Sequence, residues 1–307
     1  MGRTRRLFVM AGLVAAVVGA PSAVPAASAA SPSSQCLVKI GTTRYTNLAT
    51  AISAASTNAT LNISGTCAGT FTVTRSMTLQ RLGPVGVLTP GGGNGQGPGT
   101  VLTITDGARV IVKGLSITGG EIGVTDQLSS VTLYLCLIYD NGDNYGGGVS
   151  NDAGNLNLVG TYVYGNTASD GSGAGIVNYE GAVTLSQNSG VYENYAGSGG
   201  GGIENNRGTV TLNDGSGVGD NEAGGGGGID NYLGSVTLNG HSSVDDNGAA
   251  EGGGILNYFG TVTLTGSSTV AYNESDGIDS FCGTLNGATA GVNVYDNSPE
   301  NIFSFCI

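Results

Sequence analysis

Gly227-Gly228-Ile229-Asp230-Asn231, then Val236-Thr237-Leu238, then Val244-Asp245-Asp246-Asn247: this run holds a glycine cluster, a β-branched lead residue, an Asn two places on, a Val-Thr-Leu strand and a Val-x-x-Asn close. Five copies of the pattern stand between Tyr145 and Asn273, led by Val149, Ile176, Ile203, Ile229 and Ile255. The leads are 27, 27, 26 and 26 residues apart, and Val124 stands 25 before the first. A fixed period in this range marks a solenoid in which each repeat is one turn of chain.

Within a repeat the apolar residues alternate. Val183 and Leu185 flank Thr184, Val210 and Leu212 flank Thr211, Val236 and Leu238 flank Thr237, and Val262 and Leu264 flank Thr263, so one face of each strand is buried. A second short strand ends at Ile138, Val163, Val191, Val218, Val244 and Val270, and the lead residues supply a third. Three short strands joined by glycine corners make one coil, each paired in parallel with its equivalent in the next. The expected fold is all-β: a single-stranded right-handed parallel β-helix of about 25–27 residues per coil.

Two asparagine columns furnish the corners. Asn151, Asn178, Asn205, Asn231 and Asn257 form one structural ladder, and Asn141, Asn166, Asn194, Asn221, Asn247, Asn273 and Asn297 another. Stacked amides can hydrogen-bond along such a column. Gly is 57 of 307 residues and follows no three-residue collagen frame, so the glycines read as corner residues at positive φ.

Residues 1–29 read as a secretion signal. Arg3, Arg5 and Arg6 precede an apolar run from Leu7 to Ala20, and Ala27-Ser28-Ala29 offers a small-residue cleavage site. Thr4-Arg5-Arg6-Leu7-Phe8-Val9 resembles the twin-arginine signal, with Met10 where Lys is usual, so twin-arginine and general secretory export both fit. No other apolar run is long enough to span a bilayer. Residues 30–307 are expected to form the β-helix: cap and first coils over 36–120 with a Gly-rich loop at 90–99, regular repeats over 121–297, and C-terminal closure over 298–307. Thr46 to Ala55 reads as a short capping helix with Thr46 as its N-cap. Val110 to Ile117 reads as one early strand.

Removal of the leader leaves seven basic and 22 acidic residues, a formal charge of −15. Before position 114 the only acid is Asp106; after it the only basic residue is Arg207. Such a body repels nucleic acid and anionic membrane and favours cations or neutral partners. The five cysteines fit an oxidising compartment. Cys282 and Cys306, 24 apart, are expected to bridge adjacent coils, and Cys36 and Cys67 to tie the cap. Cys136 then joins Thr161, Ser189, Ser216, Ser242 and Ser268 in a buried column of small residues.

The repeats resemble polymorphic outer membrane protein repeats, marked by Gly-Gly-x-Ile and Phe-x-x-Asn, and the whole resembles the pectin-lyase-like β-helix superfamily. The marks here are Gly147-Gly148-Val149, Gly201-Gly202-Ile203, Gly227-Gly228-Ile229 and Gly253-Gly254-Ile255, with Val191-Tyr192-Glu193-Asn194 and Val244-Asp245-Asp246-Asn247 carrying Val for Phe. The resemblance implies an alternative function, polysaccharide lyase or glycoside hydrolase. A lyase of that kind uses Arg or Lys as base beside calcium, and the repeat body holds only Arg207, four after Ile203, where it matches Glu180 and is expected to pair with it. A hydrolase needs convergent carboxylates; Asp245 and Asp246 are adjacent but point apart in a strand, and His241 stands alone.

Two further columns are candidate binding sites. Tyr139, Tyr164 and Tyr192 stand one per consecutive coil and would make a stacked platform for sugar rings. Glu193, Asp220 and Asp246 stand beside them, where like charges repel unless solvated or bridged by a cation such as calcium; no other cofactor is expected. The reading as a whole is a secreted, extracellular, monomeric, non-catalytic β-helix that binds extracellular glycans or a cell surface.

Overall fold

The computed structural model describes residues 35–91, 99–143 and 147–306; the segment 1–29 expected to be a secretion signal and most of the Gly-rich stretch 90–99 lie outside them. The fold is a parallel β-solenoid. Ten lead strands, from Phe71–Val73 to Ile302–Phe305, form one sheet in coil order, here the lead sheet. The other two arms of each coil join into a 20-stranded body sheet, and a three-stranded patch forms at Gly142–Asp143, Thr167–Ala168 and Tyr195–Ala196.

Period-two alternation sets the register. Val131, Leu156, Val183, Val210, Val236 and Val262 pair in succession, with Leu133, Leu158, Leu185, Leu212, Leu238 and Leu264 two places on. Both rows are at most 3% exposed. Each such side chain contributes about 1.5–3 kcal/mol of burial, so the core is a column to which every coil adds a few units.

The corner after each lead strand is tight. Leu128, Ala153, Glu180, Arg207, Leu233, Phe259 and Cys282 all take φ between 49° and 56°, unfavourable for bulky residues. The ladder asparagine three residues before the following glycine spans the bend: Asn178 Nδ2 donates to Gly181 O at 3.1 Å, and Asn205 Nδ2 to Gly208 O at 3.1 Å. Backbone bonds to the next coil add to this, as with Leu233 N to Tyr258 O at 2.9 Å. A methyl on Gly181, Gly208 or Gly234 would collide with the amides of the ladder.

The capping helix runs over Leu48–Ala54 and buries Leu48, Ala51 and Ile52. Its N-cap is Asn47, not Thr46, because the Asn47 carbonyl side chain reaches Thr50 N at 2.9 Å. The stretch Val110 to Ile117 is two strands, Arg109–Lys113 and Ser116–Thr118, separated where Gly114 turns at φ 65°. Cys36–Cys67 and Cys282–Cys306 are bonded, each with Cα atoms 4.6 Å apart, and Cys136 is free and buried.

Candidate functional site on the lead sheet

The tyrosine column of the body sheet is in register but does not form a continuous platform. Tyr139 and Tyr164 stack with ring centroids 5.2 Å apart at 10°. Tyr192 pairs with Tyr164 along the backbone, yet its ring leans to Tyr162 at 6.4 Å. The reason is space: Gly190 and Gly217 leave room for the ring to fold down, and a methyl on either would strike it. Burial, followed by the Asp245 charge, pushes the Tyr192 phenol up to about 12.

Glu193, Asp220 and Asp246 mark a second corner, at φ 55°, 53° and 57°, shared by Asp140 and Asp296 at 50° and 54°. Asp is among the few residues that accept this conformation readily, which accounts for most of the column without a ligand. The carboxyl of Asp220 is raised by burial and then by Asp246, Asp245 and Glu193, and that of Asp246 by burial and then by Asp245. Among the described residues no three His, Cys, Asp or Glu side chains converge to hold a metal ion. Arg207 does not serve as the partner expected for Glu180: it donates to Asn206 Oδ1 at 3.4 Å and lies over the Tyr232 ring at 6.0 Å. His241 is exposed.

The outward face of the lead sheet gathers more chemistry. Lead strands point their first and third residues inward, so their second and fourth residues form outer columns. In the later coils the second-residue column reads Glu204, Asp230, Leu256, Asp279 and Phe303, and the fourth reads Asn206, Tyr232, Tyr258, Phe281 and Phe305. Tyr258 and Phe281 stack at 4.8 Å and 12°, and Phe303 meets Phe281 edge-on at 6.2 Å. Tyr232 and Phe305 continue the strip, 41% and 50% exposed.

The neighbouring acids are sunk beneath the glycine clusters. A methyl on Gly199 would stand 2.8 Å from Glu204 Oε2, and one on Gly226 2.8 Å from Asp230 Cβ, so only glycine lets these segments lie down on the column. Glu204 Oε2, Asp230 Oδ1 and Asp279 Oδ1 are buried without hydrogen-bond partners. Burial, then the Glu204 charge, pushes Asp230 up to about 7; burial, then Asp276 and Glu251, pushes Asp279 up to about 6. Tyr258 Oη donates to Glu251 Oε2 at 3.3 Å, linking the aromatic strip to the acids.

The sequence carried a signal for this strip. Asn231-Tyr232 and Asn257-Tyr258 put an aromatic directly after a ladder asparagine, and Ile229-Asp230 and Ile278-Asp279 put an acid directly after a lead residue. Compared with protein-family models, with curated proteins and with solved structures, the chain matches none, so function rests on geometry.

Proposed function

We propose that the protein is a secreted, non-catalytic glycan-binding solenoid whose ligand lies along the strip Tyr232, Tyr258, Phe281 and Phe305. The observation that carries this reading is the stacked Tyr258–Phe281 pair, continued by exposed rings at about 4.8 Å per coil. The acids alongside favour neutral or amine-bearing sugars over uronic acid chains. The Gly-Gly-Ile and Val-x-x-Asn marks support a solenoid of the pectin-lyase-like kind. The leader and the two disulfides support an extracellular site, and no helix among the described residues is long and apolar enough to cross a membrane.

A second reading, glycoside hydrolysis, is favoured by Asp230 and Asp279. Their raised carboxyls stand two coils apart, about 10 Å between backbones, near the separation of an inverting acid–base pair. Incubation with neutral, amine-bearing and uronic polysaccharides, assayed for retention and for new chain ends, tests both. Retention on neutral or amine-bearing chains without new ends is expected; new ends that vanish in Asp230→Asn would establish the hydrolase instead, and retention by uronic chains alone would contradict the binding site.

A further inference from the structure

The amide ladder inside the lead sheet runs in one direction. Asn151 Nδ2 donates to Asn178 Oδ1, Asn178 to Asn205, Asn205 to Asn231 and Asn231 to Asn257, each at 2.7 Å, and Asn257 ends on Ser280 Oγ at 3.0 Å. Every member after Asn151 therefore takes a donor from the coil before it. For Asn151 that place is filled by Asp126, its register partner on Ile122–Gln127. An ionised carboxylate only accepts. Asp126 is 0% exposed, neither of its oxygens has a partner, and Asn151 Oδ1 has none either.

The two side chains meet as the later amides do. A methyl on Gly154 would collide with Asp126 Oδ2 and Asn151 Oδ1, just as one on Gly181 would collide with Asn151 Nδ2 and Asn178 Oδ1. Asp126 Oδ2 thus stands where an amide nitrogen stands in the next coil. On its other side the register partner is Ile104, a hydrocarbon. The second ladder shows a satisfied start, in which Asn141 Oδ1 accepts from Gly120 N at 3.1 Å.

From this geometry the structure assigns a bound proton to Asp126: the carboxyl is held as the neutral acid, and its O–H donates to Asn151 Oδ1 and heads the ladder. The strand Thr100–Ile104 on one side carries no titratable side chain. Val149–Asp152 on the other carries only Asp152, which is exposed, as are Asp106 and Arg109 beyond the neighbouring corners. No charged partner therefore competes for the carboxyl. Burial raises it to about 6; the Ser129 backbone amide stands near the carboxyl and tempers the rise, but outside hydrogen-bond geometry. Because the folded pKa lies above the unfolded value, this contribution to stability is complete below about pH 4 and is lost as pH climbs through about 6.

Denaturant unfolding of wild type and Asp126→Asn at pH 4 and pH 8 tests the assignment. The amide supplies the missing donor at any pH, so at pH 8 the variant should unfold with an equilibrium constant roughly 10- to 100-fold smaller than wild type, and at pH 4 the two should nearly coincide. In wild type alone, carbon-13-labelled aspartate should show the Asp126 carboxyl protonated at pH 5 and titrating near 6. A variant destabilised equally at both pH values would overturn the assignment. So would an Asp126 carboxyl already ionised at pH 5, or a stabilisation of wild type by added calcium or sodium that the variant lacks.

Discussion

Asn205 shows how one residue holds a coil. Its Nδ2 donates to Gly208 O at 3.1 Å and Asn231 Oδ1 at 2.7 Å, and its Oδ1 accepts from Asn178. Asn205→Ala leaves Asn231 Oδ1 buried without its donor and takes from Asn178 Nδ2 one of its acceptors, the bond to Gly181 O remaining, at about 1–3 kcal/mol for the orphaned group, and loosens the corner at which Arg207 takes φ 56°. Chemical denaturation should show a loss of about 2–3 kcal/mol. Cys136 is a contrasting case: it is 0% exposed, and burial pushes its thiol up to about 11. Alkylation in the native state should therefore be negligible and should appear only on unfolding. Both positions were legible from the repeat spacing, because one inward residue per coil fixes its neighbours. Tyr192 was not, since its ring follows the space left by Gly190 and by Gly217 one coil on, which its own column does not display.

At the scale of elements, the lead strands join structure to chemistry. Their inward positions carry ladder and core; their outward positions are free to carry acids and aromatics. The repeat motif is written by the inward residues, and outward ones vary from coil to coil, which is why the fold was read directly while the strip, marked only by the aromatics after Asn231 and Asn257, was passed over. The glycine clusters complete the element by lying over the acids. Gly226→Ala, at φ 58° and 2.8 Å from Asp230 Cβ, should destabilise by more than the roughly 1 kcal/mol of an ordinary glycine replacement, measured by thermal unfolding. The same strands predict an unusual pH response. Asp126, Asp230 and Asp279 all have folded values above the unfolded one, so each gives stability that is present below about pH 4 and lost through about pH 6 to 7. The melting temperature should fall between pH 5 and pH 8, and the Asp230→Asn variant should flatten the upper part of that slope.

For the whole molecule, two disulfides and a helix close a column of coils whose acids outnumber its bases. Mutual repulsion of that acidic body is screened by salt, so sodium chloride should raise the melting temperature. Under the proposed function the same charge would select the ligand, an anionic chain being repelled from the strip that a neutral or amine-bearing one would occupy. Two aromatic sets compete for the role of platform: Tyr139–Tyr164 on the body sheet and Tyr258–Phe281 on the lead sheet. Retention of wild type, Tyr139→Ala, Tyr258→Ala and Phe281→Ala in gels containing neutral or amine-bearing polysaccharide separates them. Tyr258→Ala and Phe281→Ala should each weaken binding about tenfold, roughly 1.4 kcal/mol, with Tyr139→Ala unchanged; weakening by Tyr139→Ala alone, with the lead-sheet variants retained like wild type, would contradict the site.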